Sequence, residues 1–158
     1  PPKTKRSHLM ALLGELARTE PAGETNLAAA LHDAAARIKK RGLIVLLSDL
    51  LAEQEKVVEA LHHLRFRGHD LIVFQVLDAS EAHFDFDGPM RFEDPETQEQ
   101  VDANPRAIRA AYLEELQAFI EEYRRQCQGV RDDFVSVDTS MTFDKALLEF
   151  LVNRQERF

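Results

Sequence analysis

Residues 41–49 read Arg41-Gly42-Leu43-Ile44-Val45-Leu46-Leu47-Ser48-Asp49, and this run decides how the chain is read. Its middle is apolar at every position rather than at alternate ones, as a strand covered on both faces of a parallel sheet requires. Leu71-Ile72-Val73-Phe74-Gln75-Val76-Leu77 and Phe134-Val135-Ser136-Val137 have the same strand character. Each of the three follows a helical pattern that closes on a glycine, at Gly42, Gly68 and Gly129. Glycine accepts the left-handed conformation that ends many helices. Helix, glycine, strand, repeated along the chain, predicts an α/β fold: a parallel sheet of at least three strands with helices on both faces.

Periodicity supplies the helices. Leu9, Leu12, Leu13 and Leu16 share a face, as do Leu27, Leu31, Ala34 and Ile38, and then Val57, Leu61 and Leu64. A longer helix is predicted from Pro105 to Cys127 on Tyr112, Leu116, Phe119, Ile120, Tyr123 and Cys127, with proline at its start. Phe143, Ala146, Leu147, Phe150 and Leu151 predict a last one. Each set has the spacing of a half-buried helix. Residues 82–104 break the rhythm: they are acidic, hold Gly88, Pro89 and Pro95, and alternate around Met90-Arg91-Phe92 and Gln100-Val101. They read as an inserted β-hairpin turning at Asp94-Pro95-Glu96-Thr97. Residues 1–158 otherwise read as one domain.

Composition narrows the function. Twenty Lys and Arg stand against 28 Asp and Glu, a net charge of −8. Such a balance argues against nucleic acid or an anionic lipid surface as the main partner. Cys127 is alone, which rules out disulfide scaffolds and cysteine-ligated zinc. No unbroken apolar run is longer than Leu43–Leu47, far short of a membrane span. A single thiol and no secretory leader point to the cytoplasm, and an opening of Pro1-Pro2-Lys3 without methionine reads as a processed or cut piece.

All three strands run into aspartate, at Asp49, Asp78 and Asp138. In a parallel sheet these carboxylates share the carboxyl edge, where open α/β sheets place ligands. Oxygen donors of this kind suit magnesium or manganese rather than zinc. The plainer account is that an aspartate after a strand turns the chain and caps the next helix. Asp49 stands apart because of Gly23-Glu24-Thr25-Asn26-Leu27, a Gly-x-Thr-x-Leu at a helix entrance ahead of the same strand. This arrangement resembles the second half of a von Willebrand factor A domain, a Rossmann-like fold. The resemblance implies a metal-ion-dependent adhesion site in which Thr25 and Asp49 are ligands.

Longer runs narrow the resemblance. Arg41 through Leu51, Leu61-His62-His63-Leu64-Arg65-Phe66-Arg67-Gly68-His69-Asp70, Val76-Leu77-Asp78 with Glu81, and Phe92-Glu93-Asp94-Pro95-Glu96-Thr97 resemble domain-of-unknown-function family 58. So do Val137-Asp138-Thr139, Ala146-Leu147-Leu148 and Leu151-Val152-Asn153-Arg154. In that family the A-type domain is typically encoded beside MoxR-type AAA+ ATPases. The resemblance therefore implies a protein-interaction module that acts with such an ATPase in assembling or activating other proteins.

The chain departs from the A-type pattern in one place. The Asp-x-Ser-x-Ser loop that should supply further ligands does not precede Thr25, because the residues before it read as one helix and a loop. Two ligands do not satisfy magnesium's near-octahedral demand, so weak or absent metal binding is expected here. Asp138-Thr139-Ser140-Met141-Thr142 imitates the missing loop, and Asp138, Ser140 and Thr142 are the weaker ligand candidates in a permuted site. The resemblance also leaves strand 43–48 without its neighbour, which predicts association of copies through that edge or a cover from the N-terminal segment. The alternative function is a magnesium-dependent phosphoryl-transfer or hydrolase domain with Asp49 as nucleophile and Asp78 and Asp138 holding the ion. It lacks a lysine just after a strand, since Lys145 falls inside the last helix pattern.

Overall fold

The computed structural model describes residues 5–20, 26–94, 97–142, 144, 145, 148 and 150. The elements run α1 (Arg6–Leu16), α2 (Leu27–Arg37), β1 (Leu43–Ser48), α3 (Gln54–Phe66), β2 (Asp70–Leu77) and α4 (Ala79–His83). They continue with β3 (Met90–Glu93), β4 (Gln100–Ala103), α5 (Pro105–Gly129) and β5 (Asp133–Asp138). The sheet is parallel, in the order β1-β2-β5, and β3 and β4 form a separate antiparallel hairpin. The α/β reading holds.

Register explains where the core sits. Ile44 lies beside Leu71 and Leu46 beside Val73, which lies beside Phe134, so these side chains share one face. Leu31 and Ala35 of α2, four residues of α3 (Val57, Ala60, Leu61, Leu64), and Tyr123 and Cys127 of α5 close over that face. On the other face Phe150, in a helical turn near the end of the chain, packs its ring 5.8 Å from Phe74. The remaining residues that predict the last helix, Phe143, Ala146, Leu147 and Leu151, lie outside the described residues.

Glycine acts as a helix stop at only one of the three expected places. After α3, the Gly68 N–H donates to Arg65 O at 2.8 Å and the His69 N–H to Leu64 O at 3.3 Å, with Gly68 at φ +89°. That is a Schellman turn, in which the left-handed residue is normally glycine. A Cβ at Gly68 meets Arg41 Nε at 2.7 Å, but the arginine is flexible, so the backbone sets the cost. Gly68→Ala is expected to lower stability by about 1–2 kcal/mol, read as a lower urea midpoint. After α5 the same turn is made by Arg131 at φ +63°, whose N–H donates to Gln128 O while that of Asp132 donates to Cys127 O. Gly129 is still helical there, and α2 ends at Arg37, well before Gly42.

Three other expectations are corrected. The apolar face of α1 is real in sequence, yet α1 has no buried residue, and Leu9, Leu12, Leu13 and Leu16 are all exposed. In α2 the buried residues are Leu31 and Ala35, and Ile38 lies past the helix end, exposed. The segment 82–104 is not hairpin throughout, since Ala82 and His83 belong to α4, and Pro95 and Glu96 of the turn lie outside the described residues. Asp78 is the reason α4 forms: its carboxylate accepts from Ser80 N at 2.8 Å, while Glu81 accepts from the Asp78 N–H, a capping box. Beyond α4 the hairpin is fastened to α5. Phe84 stacks on Tyr112 at 4.2 Å, Arg106 pairs with Asp87 and Arg109 with Asp85.

Candidate functional site at the carboxyl rim of the sheet

With β1, β2 and β5 parallel, Asp49, Asp78 and Asp138 all stand at the carboxyl ends of their strands, as the sequence predicts. Their surroundings separate them. Asp78 is occupied by its cap, and its second oxygen accepts from Thr139 Oγ1 at 3.2 Å. Asp138 accepts from both the hydroxyl and the N–H of Ser140. In each case the neighbouring serine hydroxyl, followed by its N–H, holds the carboxyl below the usual range. Both aspartates therefore serve as local turn and cap residues, the plainer of the two accounts. Thr139 joins the β2 and β5 ends, taking Ala79 N onto its hydroxyl at 3.2 Å and donating its own N–H to Leu77 O at 2.9 Å.

Asp49 is held differently. Its Oδ1 accepts from Leu51 N at 3.1 Å and lies 3.4 Å from Ser48 Oγ, while Oδ2 has no partner among the described residues. The loop is rigid because Leu50 is fully buried at φ +63°, a conformation costly for a branched side chain. Ser48 Oγ accepts from Leu50 N at 3.0 Å, and the Tyr123 hydroxyl reaches Leu50 O at 3.5 Å. Burying Leu50 thus fixes Asp49 in the open. Beneath the rim lies Gln75, the register partner of Ser48, fully buried. Its Nε2 is 3.5 Å from Asp49 O, and its Oε1 has no partner among the described residues. An orphaned buried acceptor costs free energy unless a donor, a water or a cation meets it. Gln75 was missed by sequence reasoning, although it is the one polar residue inside the strand Leu71–Leu77.

The ligand set is not assembled among the described residues, which hold no group of three or more His, Cys, Asp or Glu fit for a metal ion. Thr25 lies outside the described residues. Ser140 is spent on Asp138, and Thr142 is exposed, with its carbonyl accepting from Lys145 N. What fits a hard cation at the rim is the free oxygen of Asp49.

Other candidates resolve as structure. Asp85 and Asp87 are paired with arginines. Cys127 is core, its thiol pushed up to about 12 chiefly by burial. His62 and His63 are half-buried, and His63 Nδ1 lies 3.0 Å from His32 Nδ1 on α2. His69 is buried, and neither nitrogen of its ring has a partner among the described residues. The adjacent Asp132 and Asp133 sit at the opposite, amino edge of the sheet.

Among the described residues no helix is long and apolar enough to cross a membrane. No curated protein matches the chain, and no solved structure does. The family model described as protein of unknown function DUF58 matches residues 1–121, a stretch that takes in β1, β2 and the Asp49 loop, and the chain belongs to that family.

Proposed function

We propose that the chain is a protein-interaction module, the second half of a von Willebrand factor A-like domain, in which Asp49 of the rim, together with Thr25, would hold a divalent cation, magnesium or manganese. The observation that carries this reading is the exposed Asp49 carboxylate with an uncommitted Oδ2, held at the carboxyl end of β1 beside buried Leu50. Asp49 would hold the ion directly or through water, and Thr25 would add a hydroxyl. The bound cation supplies a Lewis-acidic position that a partner's carboxylate can fill. The partner class is a MoxR-type AAA+ ATPase, working with this module in the cytoplasm to assemble or activate other proteins. No catalytic step is needed.

Asp49 and Thr25 alone leave most of magnesium's coordination to water, so calorimetric titration of the chain is expected to give a dissociation constant of about 1 mM or weaker. The deciding measurement is binding to a purified MoxR-type ATPase in magnesium against chelator. Binding is expected only with the cation, and to weaken about tenfold or more in Asp49→Ala and in Thr25→Ala. Equal binding by these variants sinks the reading. Hydrolysis of a phosphate ester that depends on Asp49 would replace it with the enzyme reading.

A further inference from the structure

We propose that His32 and His63 form a two-imidazole site for a zinc ion on the seam between α2 and α3. The site is separate from the rim and does not rest on the reading of Asp49.

The two helices pack on each other, with Leu31 and Ala35 of α2 and Ala60 and Leu64 of α3 in one core. His32 follows Leu31 and His63 precedes Leu64, so each ring stands half-buried at the border of that core. The two Nδ1 atoms lie 3.0 Å apart, the ring centres 5.3 Å apart, and the planes are tilted by 43°. The centre spacing is close to the nitrogen separation plus the two ring radii, so the nitrogens face each other. Without an ion they share one hydrogen: one Nδ1–H donates and the other Nδ1 accepts.

The same ring centres suit zinc. Two imidazoles on a tetrahedral ion, at zinc–nitrogen distances of about 2.0–2.1 Å, have centres about 5.2 Å apart. Helices α2 and α3 therefore already hold the rings at the required separation, and only the direction of each Nδ1 must change. A turn of about 35° per ring makes the two lone pairs converge, and the histidine χ2 torsion is broad enough to allow it. The shared hydrogen moves to Nε2 of its own ring, so both rings take the tautomer that metal binding at Nδ1 selects. Room for the ion comes from α2. One turn from His32 on either side stand Ala28, Ala29, Ala35 and Ala36, all short, and Asp33 is turned to Arg37. Imidazole nitrogen suits zinc, and magnesium prefers oxygen, which separates this site chemically from the rim. Water completes the coordination, so binding is modest. A bound ion holds α2 to α3 by coordination as well as packing.

The test is calorimetric titration of zinc chloride into the full chain without a histidine tag, in about 5 mM magnesium to occupy any oxygen site. A dissociation constant of about 10–100 μM is expected. Zinc at about 1 mM is then expected to raise the melting temperature by about 3–10 °C. His32→Gln and His63→Gln each keep a polar side chain in the seam and are expected to weaken binding about tenfold or more. His8→Gln, on α1, leaves it unchanged. Nitrogen-15 spectra of the rings should show both Nδ1 resonances moving with zinc and both rings becoming Nε2–H tautomers. No zinc binding tighter than about 1 mM overturns the proposal and leaves the pair as a hydrogen bond between helices. Wild-type affinity in both glutamine variants overturns it by placing the ion elsewhere. If those variants fail to fold, the spectra of the unaltered chain decide: zinc binding that leaves both Nδ1 resonances unmoved overturns it. None of these results bears on Asp49, which the ATPase binding measurement tests.

Discussion

Tyr123→Ala is expected to cost about 3–5 kcal/mol of folding free energy, as for other large buried aromatics. Domains of this kind have only about 5–15 kcal/mol in total. Tyr123 is fully buried where α5 meets the sheet, edge-on to Phe119 at 5.0 Å and stacked over Phe134 at 6.3 Å. Burial also drives its phenol up to about 12, so it stays neutral at any working pH. The hydroxyl contact to Leu50 O is long, at 3.5 Å. Tyr123→Phe is therefore expected to cost about 1 kcal/mol or less. Urea denaturation of the two variants separates packing from hydrogen bonding. Similar losses in both would show that the hydroxyl, not the ring, supports this region. The alanine variant also removes the ceiling over Leu50, so the Asp49 loop loses its fixed position along with the stability.

The second large effect depends on pH. Asp132 is only 2% exposed, accepts from Leu71 N at 3.2 Å and lies 3.5 Å from Arg65, which reaches Asp70 at 2.5 Å. Burial raises its carboxyl to about 6, against the opposing pull of the Leu71 N–H and Arg65. The folded state thus holds the proton more tightly than the unfolded chain, whose aspartate titrates near the ordinary value of about 3.9. The stability this contributes is present below about pH 4 and is lost as pH rises through about 6, where the buried carboxyl must ionise. Asp132→Asn removes that titration. Between pH 4 and pH 7 the wild type should lose about 2–3 kcal/mol relative to the variant. Parallel stability curves for the two proteins would refute this, and a carbon-detected titration of Asp132 gives the midpoint directly.

Much of the fold is legible in the sequence because burial leaves a pattern. The apolar run at 71–77, broken only by Gln75, announces a covered parallel strand, while the unbroken run at 43–47 announces a parallel strand whose Leu43, Val45 and Leu47 stay exposed. Val57, Leu61 and Leu64 are all buried as their spacing predicts. Where the sequence misleads, one pattern serves two outcomes. The stripe on α1 tells which face is apolar but not whether anything covers it. Glycine marks a left-handed helix end at Gly68, while Arg131 takes the same conformation with no compositional sign. Helix α4 spans Ala79–His83, too short to show a period, and only its Asp78 and Glu81 cap betrays it. The candidate site was readable to the level of strand ends. An aspartate that caps a helix and one that holds a cation are the same letter, so strand-end position does not separate Asp78 and Asp138 from Asp49, whereas their serine partners do. The buried acceptor of Gln75 becomes visible only when its neighbours fail to supply a donor.

Helix α5 has 25 residues, about 37 Å at 1.5 Å each, whereas the six-residue β5 spans about 20 Å. Its end feeds directly into β5, so the surplus length overhangs the opposite end of the strand, where Asp138 lies. Arg106, Arg109 and Tyr112 sit on that overhang and hoist the acidic β3–β4 arm with them. The rim is consequently walled on the β5 side by a projecting, negatively charged buttress.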